Sequence, residues 1–128
     1  MADYFKMLFR GLYSVNSDYS DPRVDTKSLE NTLTPNAYLH ELKSCTTGNG
    51  TTIELGEFTT TVDALFISNK DDSYFVEARW TSQSTANKQK IPAGKCFFIP
   101  AATAANDLVI VADTAAVLCE IIAVGTKA

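Results

Sequence analysis

The side chains best suited to catalysis or metal binding are few in this chain of 128 residues. His40 is the only histidine, so one chain cannot build a metal site from two or three imidazoles. A Ser–His or Cys–His nucleophile pair would also depend on His40, which stands in a strand-like run with no GxSxG motif nearby. The sequence therefore predicts a structural histidine and a protein that is not an enzyme, unless His40 meets carboxylates of a neighbouring subunit.

Two groups of carboxylate and amide side chains could in principle hold a hard cation. They are Asp18, Asp21 and Asp25, and Asn69, Asp71 and Asp72. Neither group has the glycine-punctuated spacing of a calcium loop, and both stand in segments rich in turn-forming residues. We therefore predict that they stabilise turns, and that the protein carries no metal and no cofactor.

The three cysteines are Cys45, Cys96 and Cys119. They are odd in number, far apart and without a CxxC pair, which favours reduced thiols over a disulfide framework. Cys96 and Cys119 fall inside predicted strands, so both are expected to be small core residues.

Composition excludes several classes of partner. Hydrophobic residues make up 45% of the chain and charged residues 20%, with a net charge of −4, as in ordinary globular domains. The eleven Lys and Arg residues form no basic run, which argues against nucleic acid. No stretch has the length of a transmembrane helix. The first residues, MADYFKMLFRG, do not resemble a secretory signal, so we expect neither a membrane partner nor Sec export.

The elements that would position these side chains are short strands. Apolar runs rich in β-branched and aromatic residues, bounded by turn formers, predict about seven strands. Their ranges are 39–45, 52–58, 62–68, 74–80, 96–99, 108–112 and 117–124. Strands at this spacing predict an all-β, antiparallel β-sandwich or jelly-roll-like fold.

The turn signals predict how these strands pair. TTGNG, at 46–50, separates two strand-like runs and predicts a hairpin, in preference to a short helix beginning at Pro35. Residues 69–72 predict a second hairpin, and the short interval 113–116 predicts that the C-terminus is a β-meander. Tyr74 and Trp80 share an apolar strand face, where core packing is favoured over a platform for stacking sugars.

The last strand is apolar on both of its faces. Val117, Cys119, Ile121 and Ala123 alternate with Leu118, Glu120, Ile122 and Val124. An outer face this apolar predicts a cover, either from another part of the chain or from another molecule.

The N-terminal third differs in character from the rest of the chain. Residues 4–13 fit the spacing of a helix and of a strand equally, and residues 14–35 show no regular element. We therefore divide the chain into an N-terminal arm and extended connection, 1–35, and a β-sandwich domain, 36–128. The apolar side chains at the terminus are either core or a subunit interface. The candidate interface residues are Tyr4, Phe5, Met7, Leu8, Phe9, Leu12 and Tyr13.

Residues 62–124 carry a recognisable succession of motifs. An L-x-I-x-N strand at 65–69 is followed by the I-P-A-G turn at 91–94 and the closing apolar strands. This order resembles small β-sandwich virion proteins of tailed bacteriophages, such as capsid decoration, neck or tail components. The resemblance implies a structural subunit of the virion, made in the host cytoplasm, that binds other virion proteins and forms homo-oligomers. The alternative from another class is a carbohydrate-binding β-sandwich module.

Overall fold

The structure is a computed structural model that describes residues 4–55, 58, 61–80, 88–99, 102–103 and 108–126, with the side chains at 61, 80, 102 and 103 outside the description. Residues 1–34 and 35–128 form two separate compact units. The secondary structure of the described residues is entirely β, as the sequence predicts. No helix among them is long and apolar enough to cross a membrane.

The first unit is an antiparallel ribbon made of two successive two-stranded sheets, here called the N-terminal ribbon. Its strands are β1 (Phe5–Phe9), β2 (Leu12–Ser14), β3 (Pro22–Asp25) and β4 (Leu29–Leu33). β1 pairs with β4, from Phe5 opposite Leu33 to Phe9 opposite Leu29, and β2 pairs with β3. The strand alternative for residues 4–13 is therefore confirmed, with a break at Arg10 and Gly11. The prediction that 14–35 lacks regular structure is wrong, because β3 and β4 are too polar to show alternation when neither of their faces enters a core.

Asp25 stabilises the break between the two sheets of the ribbon, at residues 10–11 and 26–28, which we call the corner. Its carboxylate accepts two hydrogen bonds from the Arg10 guanidinium, at 3.1 and 2.9 Å, and a third from the Lys27 backbone N–H at 2.8 Å. The Lys27 ammonium lies 3.0 Å from the same carboxylate. Beside it, Gly11 and Thr26 exchange two further hydrogen bonds of 2.8 and 3.0 Å. Bidentate Arg–carboxylate pairing of this kind fixes geometry as well as charge.

We expect acid to open this corner. The Arg10 guanidinium, with the Lys27 donors, holds the pKa of Asp25 well below its usual range. A carboxylate with a lowered folded pKa contributes stability above its unfolded pKa of about 3.9, and that contribution is lost as the pH falls. The NMR amide shifts of Gly11 and Thr26 should therefore begin to move toward random-coil values below about pH 4.

Two variants test whether the Asp25 carboxylate keeps the corner closed. Asp25→Asn should show the opened corner already at neutral pH. Asp21→Asn is the control, since the Asp21 carboxylate only approaches Arg23 at 3.6 Å and both side chains are exposed. A closed corner in Asp25→Asn would contradict the role given to this carboxylate.

The second unit contains two antiparallel sheets packed as a sandwich. The first sheet contains β5 (Ala37–Cys45), β7 (Thr61–Asn69), β10 (Cys96–Ile99) and β13 (Val117–Gly125), in the order β10-β7-β13-β5, with β11 (Ala102–Thr103) also paired to β7. The second sheet contains β6 (Thr51–Ile53), β8 (Val76–Trp80), β9 (Lys88–Ile91) and β12 (Leu108–Ala112), in the order β6-β12-β8-β9.

The core lies between the inner faces of the two sheets. Alternate residues of each strand enter it, because neighbouring side chains point to opposite faces. The fully buried members include Leu65, Ile67, Val76, Ala78, Leu108, Ile110, Val117, Cys119, Ile121 and Ala123. The alternation predicted for the last strand is confirmed from Val117 to Ala123, with its inner residues fully buried and Leu118 47% exposed on the outer side. It fails at Val124, which is buried next to a shift in strand register.

The predicted hairpins are all wrong. The turns at 46–50, 70–75 and 113–116 each connect a strand of one sheet to a strand of the other. β5 and β7 each pair instead with β13, which lies between them in the first sheet. A short turn with Gly, Asn or Asp permits either connection, and the choice depends on which strand covers which part of the core. Local sequence carries no signal for that choice.

The count of about seven strands is also too low. β1 and β2 were one of two alternatives for residues 4–13, and β3, β4, β9 and β11 were not predicted, while 96–99 and 108–112 have the predicted bounds. Residues 56 and 57 of the predicted strand 52–58 lie outside the described part. Tyr74 precedes β8 and is 41% exposed, so its predicted place in the core is wrong, whereas the Trp80 side chain lies outside the description.

Candidate interaction surfaces

His40 lies on the outer face of the first sheet, where strand pairing brings Glu120 beside it. The imidazole Nε2 is 2.9 Å from a Glu120 carboxylate oxygen, and the Lys70 ammonium is 3.5 Å from the other oxygen. The His40 contact and the Lys70 charge lower the pKa of Glu120. The His40 side chain is 53% exposed, and no nucleophile contacts it among the hydrogen bonds described. The arrangement is a Lys70–Glu120 ion pair with His40 in contact with the same carboxylate, on the outer face of the sheet.

Asp18 and Asp71 stabilise turns, as predicted, whereas Asp25 also pairs with Arg10. Asp18 accepts a hydrogen bond of 3.1 Å from the Ser20 backbone N–H, and Asp71 accepts two, from the N–H groups of Ser73 and Tyr74, at 2.9 and 2.7 Å. Asn69 is buried and bonded to backbone. Within the described ranges, no group of three His, Cys, Asp or Glu side chains lies close enough to hold a metal ion.

The thiols divide into one exposed and two buried groups. All three cysteines are free. Cys45 and Cys119 are buried in the core, but Cys96 is exposed, so its predicted place in the core is wrong. Cys96 opens β10 opposite Ser68 and points to the outer face, where alternation places it.

One thiol of the three should react in the folded protein. The neighbouring Cys119 sulfur and burial raise the pKa of the Cys45 thiol, and a protonated buried thiol is a poor nucleophile. A maleimide should therefore modify Cys96 quickly, and all three cysteines only after denaturation. Mass spectrometry of the labelled peptides shows which cysteine has reacted. Fast labelling of Cys45 in the folded protein would contradict this prediction.

The outer face of the first sheet is largely apolar. Side chains from β5, β7, β10 and β13 line it. The apolar members with exposure of 45% or more are Tyr38, Leu42, Phe98 and Leu118. Phe66 and Ile122, half-buried, lie in one cross-strand row with Phe98 and His40. We call this surface the outer apolar face.

The corresponding side of β12 is covered by the chain itself. Val109 and Val111 point away from the core, yet both are buried. Gly50 approaches them so closely that a Cβ there would lie 2.7 Å from Val111 Cγ2. Both faces of β12 are thus covered, whereas the cover predicted for the last strand is not present over Leu118 among the described residues.

The N-terminal ribbon exposes the second apolar surface. Of the predicted interface residues, Phe5 and Met7 are half-buried, and the others are exposed. Further exposed apolar side chains of the ribbon are Val15, Tyr19, Val24 and Leu29. A two-stranded ribbon is marginal by itself in water, because it has no core that could bury these side chains.

Comparison with known proteins gives no further guide: no protein family, no curated protein and no solved structure matches this chain.

Proposed function

We propose that this chain is a non-enzymatic structural subunit of a virus particle, of the kind found in tailed bacteriophages. It would bind neighbouring virion proteins through the N-terminal ribbon, acting as an arm, and through the outer apolar face. It would be made in the host cytoplasm and reside in the virion as a homo-oligomer. The observation that carries the proposal is the ribbon, which forms a unit of its own with five of the predicted interface side chains exposed.

The energetics of the ribbon support a partner. Ordering one residue costs about 1–2 kcal/mol, and a ribbon without a third layer offsets little of this by burial. Leu8, Phe9 and Tyr13 are each more than 60% exposed. Burying such side chains contributes about 25 cal/mol per Å² of apolar surface. A neighbouring subunit that covers them would therefore stabilise the ribbon and form an interface with it.

The strand order supports a jelly-roll description of the second unit. Its sheets, β10-β7-β13-β5 and β6-β12-β8-β9, interleave as two four-stranded Greek keys do, with consecutive strands mostly in opposite sheets. Jelly rolls occur both in viral capsid proteins and in lectins, so the order is compatible with either hypothesis. The ribbon favours the virion protein, since a sugar site needs no such extension.

The test replaces the exposed apolar side chains of the ribbon. A variant combining Leu8→Ser, Phe9→Ser and Tyr13→Ser should keep the fold of residues 35–128, because none of these side chains belongs to its core. It should lose incorporation into particles, measured by co-sedimentation from the producing cells. Lys6→Ser with Glu30→Ser is the matched control on exposed polar positions of the same ribbon. Unchanged incorporation of the Ser variant would overturn the proposal for the ribbon.

Carbohydrate binding is the second candidate. Tyr38 is 73% exposed on the outer apolar face, and an exposed aromatic ring can stack on a sugar. Saturable glycan binding that is lost in Tyr38→Ala and kept in Leu42→Ala would favour this function over the first.

A further inference from the structure

The edge strands of the sandwich differ in how they are protected from pairing with another chain. An exposed strand edge is a template for pairing, and proteins guard it with short strands or with lysines. β6 has three residues and β10 has four. β9 carries Lys88 and Lys90, whose like charges would repel a second copy. These three edges are therefore guarded.

β5 is the exception among the described strands. It has nine residues and pairs along its whole length with β13, from Ala37 opposite Gly125 to Cys45 opposite Val117. β13 is the one strand paired to it in the described part of the chain, and β5 ends its sheet. No described strand pairs with the backbone donors and acceptors along its other side.

The charges of β5 are complementary to those of an identical strand running antiparallel. Glu41 and Lys43 share the inner side of the strand, with 3.5 Å between their charged atoms. Both side chains keep more than a third of their surface exposed. In an antiparallel pair of identical strands, an acidic and a basic residue two positions apart can each face the opposite charge of the partner strand.

We propose that β5 pairs antiparallel with β5 of a second copy, in the register that places the two Leu42 residues opposite each other. Glu41 of each copy then faces Lys43 of the other, and His40 faces Ser44. On the inner side Leu39 faces Cys45. The pairing joins the first sheets of both copies into one continuous sheet with a common outer apolar face.

Alternative registers are less favourable. Centring the pair on Glu41 or on Lys43 would oppose two like charges directly, which is destabilising. A shift by one residue would place inner side chains opposite outer ones and reverse the faces of one sheet. The charge pattern thus selects both the partner and the register.

This inference deepens the proposed function, on which it rests for the claim that the chain assembles into homo-oligomers. It assigns self-association to β5 and leaves the N-terminal ribbon for other neighbours. The two surfaces can therefore be tested by separate variants.

The first test is charge reversal followed by sedimentation equilibrium. Lys43→Glu alone and Glu41→Lys alone each oppose like charges at two cross-strand positions, so self-association should weaken about tenfold. Mixing the two variants restores opposite charges at both positions, and heterodimers should form with near-original affinity. Lys95→Glu and Glu54→Lys are controls with the same change of net charge at exposed positions away from β5. Equal weakening in the controls, or no recovery on mixing, would overturn the pairing.

The second test fixes the register. With Cys96→Ser removing the exposed native thiol, Leu42→Cys should form a disulfide-linked dimer under mild oxidation, because directly opposed residues lie within disulfide range. Tyr38→Cys lies on the same face and is more exposed, but the register separates its two copies by eight positions, so it should not cross-link. Equal cross-linking of both variants would overturn the register. A chain that enters particles but is monomeric in solution, without cross-linking at position 42, would overturn the inference and leave the proposed function standing.

Discussion

Asn69→Asp is expected to destabilise the sandwich unit by about 3–5 kcal/mol at neutral pH. Asn69 is the one polar side chain in the buried set of the described residues, at 1% exposure. Its amide nitrogen donates to the carbonyl oxygens of Tyr74 and Ile91, at 2.9 and 3.0 Å, and its oxygen accepts from the Asp71 N–H at 2.9 Å. A carboxylate of the same shape would direct negative charge at two carbonyl oxygens.

The effect of this substitution should depend on pH. Burial beside carbonyl oxygens raises the pKa of an introduced carboxyl group, because the neutral form is favoured. The protonated form can donate one hydrogen bond, so the loss of stability should be smaller at pH 5 than at pH 8. Urea unfolding at the two pH values measures this, with the exposed Asn49→Asp as control. Equal stability of Asn69→Asp and the unmodified chain would show that the Asn69 side chain does not stabilise the connection from β7 to β8.

Gly50→Ala should cost about 3–4 kcal/mol of the free energy of unfolding. Gly50 has a φ of +76°, and an added Cβ would lie 2.7 Å from Val111 Cγ2, 2.8 Å from the Ile110 carbonyl oxygen and 3.0 Å from Val109 Cγ1. Two penalties therefore add: the left-handed backbone and a clash that requires β12 or the loop to shift.

Gly48→Ala separates the two penalties. Gly48 has nearly the same conformation, with a φ of +71°, but nothing lies within 4 Å of an added Cβ. Its free energy of unfolding should fall only by the cost of the left-handed backbone conformation, about 1–2 kcal/mol. Thermal or urea unfolding of both variants gives the difference, and an equal loss at the two positions would contradict the close packing of Gly50 on β12.

The sequence predicts the inner faces of the strands well, because burial imposes a period of two. In β13 the inner residues Val117 and Ile121 are fully buried, as their alternation indicates. The strands at 96–99 and 108–112 also begin and end where the apolar runs do. Fold class follows from these patterns, since it depends on many strands together.

Pairing could not be predicted in the same way. β5 and β13 are joined over nine positions, yet they are separated by most of the sandwich unit in sequence. The alternating residues of either strand would fit several neighbours equally well. Cys96 was misplaced for a related reason, because a short edge strand exposes an outer face that the run CFFI does not reveal.

The candidate surfaces were only partly visible in the sequence. The sequence shows the aromatic terminus but not its folding into a ribbon with 14–33, because a ribbon lacking a core shows no alternation on its polar strands. The Glu41–Lys43 pair became informative only when β5 was found at the edge of its sheet.

The presence of this chain in purified virus particles tests the central proposal most directly. Particles would be isolated by density-gradient centrifugation from the source that makes the protein, and their chains counted by quantitative mass spectrometry. The chain should band with the particles at a constant number of copies per particle. A chain that remains in the soluble fraction while the particles band without it would contradict its proposed role in the virion.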